Sequence, residues 1–232
     1  MLRLSIIIPT YNEEKTIRKV IEVVRNVALS NIEKEIIVID DGSSDGTQEL
    51  LKHTPGIIQI THDKNQGKGR AIKSGFERAS GDIILIQDAD LEYSPSDYPD
   101  LLFPILEMGA EVVYGSRFFG SKAHRIFNFH HYMANRLITI ISNLFTNLNL
   151  SDIEVGYKVF TKKVIAAITP RLTSQRFGIE VELTARIAAY KFKIYEVGIS
   201  YQGRDYTNGK KIKWRDGIAA LWQIVWFNVF RR

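Results

Sequence analysis

The sequence predicts an α/β fold: a doubly wound, mostly parallel sheet with helices on both faces. Three observations predict it. Between residues 4 and 87, apolar runs of strand length alternate with segments whose apolar residues recur at helical spacing. The connections are only a few residues long, as in strand–helix–strand units. The run Ile83-Ile84-Leu85-Ile86 is apolar without alternation, which suits a strand covered on both faces.

Residues 4–9 read as the first strand. Ile17, Val20, Ile21, Val24 and Val27 mark the helix after it. Residues 35–39 form the second strand, closed by Asp40-Asp41-Gly42-Ser43-Ser44-Asp45-Gly46. Ser44 or Asp45 is placed to cap the helix through Leu51. A short third strand at 56–61 leads into a helix with Ala71, Ile72, Gly75, Phe76 and Ala79 on one face. The central strand spans 82–87. Ser96-Asp97 then caps a helix through Glu107, where Pro99 suits the first turn and Pro104 is expected to introduce a kink. A strand at 111–114 ends in Gly115-Ser116-Arg117. A long amphipathic helix carries Phe129, Tyr132, Met133, Leu137, Ile140, Ile141, Leu144 and Phe145 on one side. An extended segment at 152–160 follows, then helices at 161–169 and 178–190 and a strand at 192–200. A basic loop at 203–213 and a closing helix with Ile218, Leu221, Trp222, Val225, Trp226 and Val229 complete the chain. No repeat or Pro/Gly linker interrupts it, so residues 1–232 read as a single domain.

The 232 residues suffice for a proper core, and the absence of Cys excludes disulfides and thiolate metal sites. Residues 1–150 hold 16 Lys and Arg against 19 Asp and Glu; residues 151–232 hold 15 against 7. A basic C-terminal third suits an anionic partner, although a solvated basic surface explains such a count as well. The first residues lack the features of a signal peptide. The apolar segment at 218–230 contains Gln223 and Asn228 and is shorter than the roughly 20 residues a spanning helix needs, so no transmembrane helix is expected.

The chemistry gathers at the loops after the strands, where ligands of open α/β sheets bind. Asp88-Ala89-Asp90, at the end of the central strand, offers two hard oxygen donors with no Lys or Arg beside them in sequence. Asp-x-Asp is often only a solvated turn. At a strand end, two carboxylates this close favour a shared cation, and Mg²⁺ or Mn²⁺ fits a site without Cys or adjacent His. Glu92 is a further candidate ligand. Asp40-Asp41-Gly42 is either a plain turn or a carboxylate for the N–H of a nucleobase. Tyr11 is either a stacking partner for a base or an ordinary loop aromatic. Gly67-Lys68-Gly69-Arg70, at a helix start, suits phosphate binding through backbone N–H groups and positive charge. It is neither a Walker A loop nor a dinucleotide fingerprint. His130-His131 point to different helix faces and make no chelate. Asp152 and Glu154 are placed either to act as a base or to pair with Lys158 or Arg204. Arg204, Lys210, Lys211 and Lys213, beside a Trp-rich helix, suit an anionic membrane surface, with plain core packing of that helix as the equal alternative. Nucleic acid suits them less, because the basic run lacks interleaved aromatics.

Together these residues resemble a known family. Ser5-Ile6-Ile7-Ile8-Pro9-Thr10-Tyr11-Asn12-Glu13-Glu14, Ile39-Asp40-Asp41-Gly42-Ser43, Asn65-Gln66-Gly67-Lys68-Gly69, Ser80-Gly81-Asp82 and Asp88-Ala89-Asp90 resemble the family-2 glycosyltransferases of GT-A fold. Val113-Tyr114-Gly115-Ser116-Arg117, Gly156-Tyr157-Lys158-Val159-Phe160 and Ile199-Ser200-Tyr201-Gln202-Gly203-Arg204 look like the dolichol-phosphate mannosyltransferase branch and its polyprenyl-phosphate relatives. The resemblance implies that Pro9, Tyr11, Glu13, Ile39 and Asp41 hold the nucleoside, with Ala89 beside the ribose. It implies that Asp88 and Asp90 bind the metal that bridges the diphosphate; the family often has Gln at the position of Glu92. Arg117, Arg204 and Lys210 would contact the diphosphate or the acceptor phosphate, with Asp90 and Arg117 as catalytic residues.

The expected activity is inverting, metal-dependent transfer of a sugar, mannose or glucose, from a nucleotide diphosphate sugar to a polyprenyl phosphate. Residues 1–117 would form the donor half and 118–232 the acceptor half. The alternatives are transfer to a sugar hydroxyl, with Asp152 or Glu154 as base, and a nucleotide-sugar-binding protein without turnover. The expected place is the cytoplasmic face of a membrane, held peripherally through the C-terminal basic loop and helix. No nucleic-acid partner is expected.

Overall fold

The structure, a computed structural model, describes residues 1–120, 126, 128–176, 178–203 and 214–231. Seven strands form one sheet: β1 (Leu2–Thr10), β2 (Ile32–Asp40), β3 (Ile58–Thr61), β4 (Ile83–Ile86), β5 (Val112–Ser116), β6 (Lys158–Thr161) and β7 (Ile194–Gly198). Their order is β3-β2-β1-β4-β6-β5-β7. All neighbours are parallel except β6, which runs antiparallel to both β4 and β5.

The helices are α1 (Ile17–Asn26), α2 (Thr47–Lys52), α3 (Lys68–Arg78), α4 (Tyr98–Glu107), α5 (Phe129–Thr146), α6 (Lys162–Ile168), α7 (Ile179–Tyr190) and α8 (Trp214–Val225). α8 continues into a π-helical turn, Trp226–Phe230. The chain winds from β1 outward to β3 and then returns to place β4 on the other side of β1. That reversal leaves a crevice at the carboxyl ends of β1 and β4, where ligands of such sheets bind. β5 and β7 point the same way as β4, so Arg117 and Tyr201 follow strands that end at the same edge. Because β6 is reversed, the loop before it reaches that edge as well.

Burial follows the sequence pattern. The central runs Ile6 to Ile8, Ile36 to Ile39, Ile83 to Ile86 and Val112 to Tyr114 are buried throughout, whereas edge strands β3 and β7 are only half-buried. α3 lies on β1 and β2 with Gly75 at the contact. A Cβ there would meet Ile7 Cγ2 at 2.4 Å and Ile39 Cδ1 at 2.9 Å.

Pro104 lies inside α4, which runs to Glu107 as the sequence predicts. Two local expectations are corrected. The entry to α4 is a 3₁₀ turn, Pro95–Asp97, whose cap is Ser94. Asp97 instead accepts hydrogen bonds from Ser200 N at 2.7 Å and Ser200 Oγ at 3.3 Å, tethering the exit of β7. The extended reading of 152–160 holds only for β6; the residues before it form a loop. Most of the apolar side of α5 faces outward: Leu144 is 80% exposed, Phe129 68% and Ile140 56%, while Ile138, Thr139 and Ser142 are buried.

Gly75→Ala tests the α3 contact. In an open helix the change would stabilise by about 1 kcal/mol. Here overpacking against β-branched, fully buried Ile7 costs about 1–3 kcal/mol, so the expected net effect is a loss of roughly 1 kcal/mol. A denaturation midpoint that is unchanged or raised would contradict the close contact.

Candidate active site

Gln87 fixes the end of β4. Its N–H donates to Ile7 O at 2.9 Å, and its Oε1 accepts from the hydroxyls of Tyr98 at 2.8 Å and Tyr157 at 2.7 Å. Its Nε2 donates to Asp88 O at 2.9 Å. Tyr93 stacks on Tyr157 with ring centroids 4.7 Å apart, and its hydroxyl accepts from Gly156 N at 3.0 Å. Asp88 and Asp90 emerge half-buried from this aromatic clamp, on either side of buried Ala89. The loop before β6 comes so close that a Cβ on Gly156 would lie 2.2 Å from Asp88 Oδ2. Only glycine permits that approach.

The expectation that no cation accompanies the aspartates is corrected. Lys68, the first residue of α3, places its ammonium 2.8 Å from Asp88 Oδ1 and 3.1 Å from Glu180 Oε1. The other oxygen of Glu180 pairs with Lys158, which is fully buried and also donates to Ile153 O at 3.2 Å and to Val155 O. Burial alone would lower the pKa of Lys68. The charges of Asp88 and Glu180 outweigh it and hold the ammonium protonated.

The phosphate cradle expected at the start of α3 is also corrected in part. Gly67 N donates to Asp41 at 2.6 Å and Arg70 N to Gln175 O at 3.1 Å. Those backbone donors are committed within the protein, and Lys68 supplies the charge.

On the other side of the aspartates, Arg117 makes a two-pronged pair with fully buried Asp152: Nε to Oδ2 at 2.7 Å and Nη2 to Oδ1 at 2.8 Å. Its guanidinium lies over the Tyr201 ring, 5.3 Å from the centroid. The Tyr201 hydroxyl donates to Glu92 Oε2 at 2.5 Å, and Glu92 N donates to Asp90 Oδ1 at 3.2 Å. Asp152 is thus a partner for Arg117 and not a base in waiting. Glu154 differs. Burial, and then the charge of Glu180, push its carboxyl up to about 7 against the opposing pull of Lys158 and Arg117. Its Oε1 has no hydrogen-bond partner among the described residues.

The residues expected around a nucleoside converge across the crevice. Pro9 lies opposite Ile39 in the β1–β2 register. The two following loops are laced together: Asn12 N donates to Ser43 Oγ at 2.9 Å, Ser44 N to Asn12 Oδ1 at 2.8 Å, and Glu13 N to Thr47 Oγ1 at 3.0 Å. Tyr11 and Glu13 are half-buried there. Asp41 is buried and organises the next loop, accepting from His62 Nδ1 at 2.7 Å and from the N–H groups of Gln66 and Gly67. Arg204 and Lys210 lie outside the described residues, as do Lys211 and Lys213.

Sequence reading passed over Glu180, Gln87, Tyr93 and His62. Glu180 left a signal: an acid among apolar neighbours in Ile179-Glu180-Val181-Glu182-Leu183 requires a buried partner. The others left none, because each acts across the fold.

No group of three or more His, Cys, Asp or Glu among the described residues is arranged to hold a metal ion. Two carboxylates at a strand end still match a hard cation that takes its other ligands from phosphate oxygens and water. Of the three expected ligands, Glu92 is engaged by Tyr201 and Asp88 by Lys68.

Residues 5–169 match the family described as Glycosyl transferase family 2. Over 95% of its length the chain is 28% identical to a UDP-N-acetylglucosamine–dolichyl-phosphate N-acetylglucosaminyltransferase of Methanococcus voltae, covering 94% of that protein. It is 31% identical to the glycosyltransferase AglJ of Haloferax volcanii, over 98% of this chain and 71% of that one. It is 28% identical to the dolichyl-phosphate beta-glucosyltransferase ALG5A of Trichomonas vaginalis, over 99% and 74%. Among solved structures, glucosyl-3-phosphoglycerate synthase from Mycobacterium tuberculosis, in complex with Mn²⁺, UDP and glucosyl-3-phosphoglycerate, superposes with a TM-score of 0.75 at 20% identity. The superposition covers 99% of this chain and 80% of that one. The fold is therefore the GT-A-like one that the sequence predicts.

Glu154 gives a pH prediction. The folded protein keeps its proton to about pH 7, while an unfolded glutamate releases it near 4.5. Between those values the folded state binds more protons, so stability falls as pH rises through the window. Glu154→Gln should flatten that fall in Tm and stabilise the protein above pH 7; an unaltered slope would refute the assignment.

Proposed function

Because this chain belongs to glycosyl transferase family 2, we propose that it transfers a hexose or N-acetylhexosamine from a nucleotide diphosphate sugar to a polyprenyl phosphate. The observation that carries the reading is the placing of Asp88 and Asp90 at the crevice between β1 and β4. Laced nucleoside-side loops lie on one flank and the Arg117–Asp152 pair on the other. The M. voltae and T. vaginalis relatives are named for dolichyl-phosphate acceptors, which supports the acceptor class. Their sugars, N-acetylglucosamine and glucose, widen the expected choice of mannose or glucose.

In this reading Pro9, Tyr11, Glu13, Ile39 and Asp41 line the nucleoside side, and Ala89 offers a flat buried wall between the two aspartates. Asp88 and Asp90 hold the divalent cation. The M. tuberculosis synthase has been crystallised with Mn²⁺ or Mg²⁺ and UDP. Such a cation, when bound, neutralises charge on the diphosphate. The acceptor phosphate oxygen attacks the anomeric carbon as the bond to the diphosphate oxygen breaks, inverting configuration. Lys68 and Arg117 supply positive charge to the departing diphosphate; electrostatic stabilisation of this kind is often the largest catalytic term. A phosphate acceptor is already anionic near pH 7, so it needs no general base. Arg204 and Lys210 complete the proposed phosphate contacts.

One observation favours a second reading. Glu154, with its pKa near 7, is suited to take a proton from a sugar hydroxyl, so a hydroxyl acceptor is the alternative.

The place of action is proposed to be the cytoplasmic face of a membrane. The outward apolar stripe of α5 adjoins α8, whose end exposes Trp222, Trp226 and Phe230. No helix among the described residues is long and apolar enough to cross a membrane. An interfacial helix with one apolar face suits peripheral attachment.

A panel of UDP- and GDP-sugars, incubated with and without polyprenyl phosphate, Mn²⁺ and EDTA, tests the reading by the appearance of lipid-linked sugar. Product should require both lipid and metal, and Asp90→Asn should lower the rate by at least about a hundredfold. Product resistant to EDTA, or a fully active Asp90→Asn, would sink the metal assignment. Transfer to sugar hydroxyls that is lost in Glu154→Gln would instead establish the alternative. Leu137→Asp with Leu144→Asp, both on the outward face, should abolish co-sedimentation with anionic vesicles; unchanged co-sedimentation would remove α5 from the attachment.

A further inference from the structure

Lys68 already engages one oxygen of Asp88, a residue of the proposed metal-holding pair. Its ammonium lies 2.8 Å from Asp88 Oδ1, and Glu180 holds it from behind at 3.1 Å. Glu180 is in turn anchored by buried Lys158. A divalent cation arriving alone at Asp88 would have to displace this ammonium or sit beside it. Like charges so close in a half-desolvated site oppose each other strongly.

A cation that arrives with a nucleotide sugar brings a diphosphate whose two negative charges offset its own. The diphosphate also offers Lys68 a new partner. A lysine is fitted to this exchange, because its point charge rides on a flexible four-carbon stem and needs no fixed fork geometry.

We propose that Lys68 is a resident counter-cation for Asp88, kept in place by Glu180, which yields Asp88 to a divalent metal only when a nucleotide diphosphate enters with it. Metal and nucleotide uptake are thereby coupled, and each raises the affinity for the other by the same factor. Glu180 acts through Lys68 and is a positioning residue. The inference rests on the reading of Asp88 and Asp90 as the metal-holding pair.

Mn²⁺ binding to the purified full chain, followed by electron paramagnetic resonance of the free ion with protein-free chelation controls, tests the exchange. Wild type should bind Mn²⁺ at least about tenfold more tightly with saturating UDP or GDP than without nucleotide, within the usual range of coupling between sites. Lys68→Met should bind Mn²⁺ alone about tenfold more tightly than wild type and show a smaller gain from nucleotide. Lys68→Arg, which keeps the charge, should retain the wild-type pattern. Thermal unfolding gives the same comparison for a weakened variant: Mn²⁺ alone should raise the Tm of Lys68→Met but hardly that of wild type. Wild-type binding of Mn²⁺ that is indifferent to nucleotide overturns the exchange without any variant, and Lys68→Met no tighter than wild type overturns it too. No Mn²⁺ bound by wild type with either nucleotide would instead remove the metal–diphosphate reading itself, and this inference with it.

Discussion

A carboxylate buried beneath a sheet edge has to be neutralised, and Glu180 is neutralised twice. Lys68 meets one of its oxygens and Lys158 the other. Removing one member of a buried ion pair strands the remaining charge and typically costs about 3–5 kcal/mol. The geometry of the site depends on this arrangement. Lys158 spends its remaining donors on Ile153 O and Val155 O, which draws the loop before β6 over the end of β4. That loop carries Asp152 to Arg117 and Gly156 to Asp88. One acid in the first turn of α7 therefore links α3, β4, β6 and the residue that follows β5.

The loops after β1, β2 and β4 were legible because their signals are local. Apolar runs, short connections and acidic loops at strand ends name both the elements and the edge where they meet. Tyr11 and Asp41 stand out on these loops by residue type, whereas Pro9, Glu13 and Ile39 follow from the family resemblance; all five lie on the loops or strand ends at this edge. Even there the sequence misjudged what some groups are occupied with. Asp41 looked like an open carboxylate and is instead the hub of the loop from His62 to Gly67. Asp88 looked unaccompanied because its cation is twenty residues away in sequence. Pairings across a fold leave no periodicity, so Lys68–Asp88 and Arg117–Asp152 required coordinates.

The second half of the chain was less legible for a different reason. Helical periodicity shows that one face is apolar but not which way it turns. In α5 the usual assumption, apolar side inward, fails: Thr139 and Ser142 are buried and the aliphatic stripe is outside.

The reversed strand β6 has a further consequence. The chain leaves the site edge at the end of β5 and comes back to the same edge at the start of β6. Everything between, α5 included, is an excursion with both ends anchored at the crevice, and its length is free of the sheet's register. Such a segment can be exchanged or extended without moving a strand. The topology thus leaves the strand order intact whatever the length of that excursion.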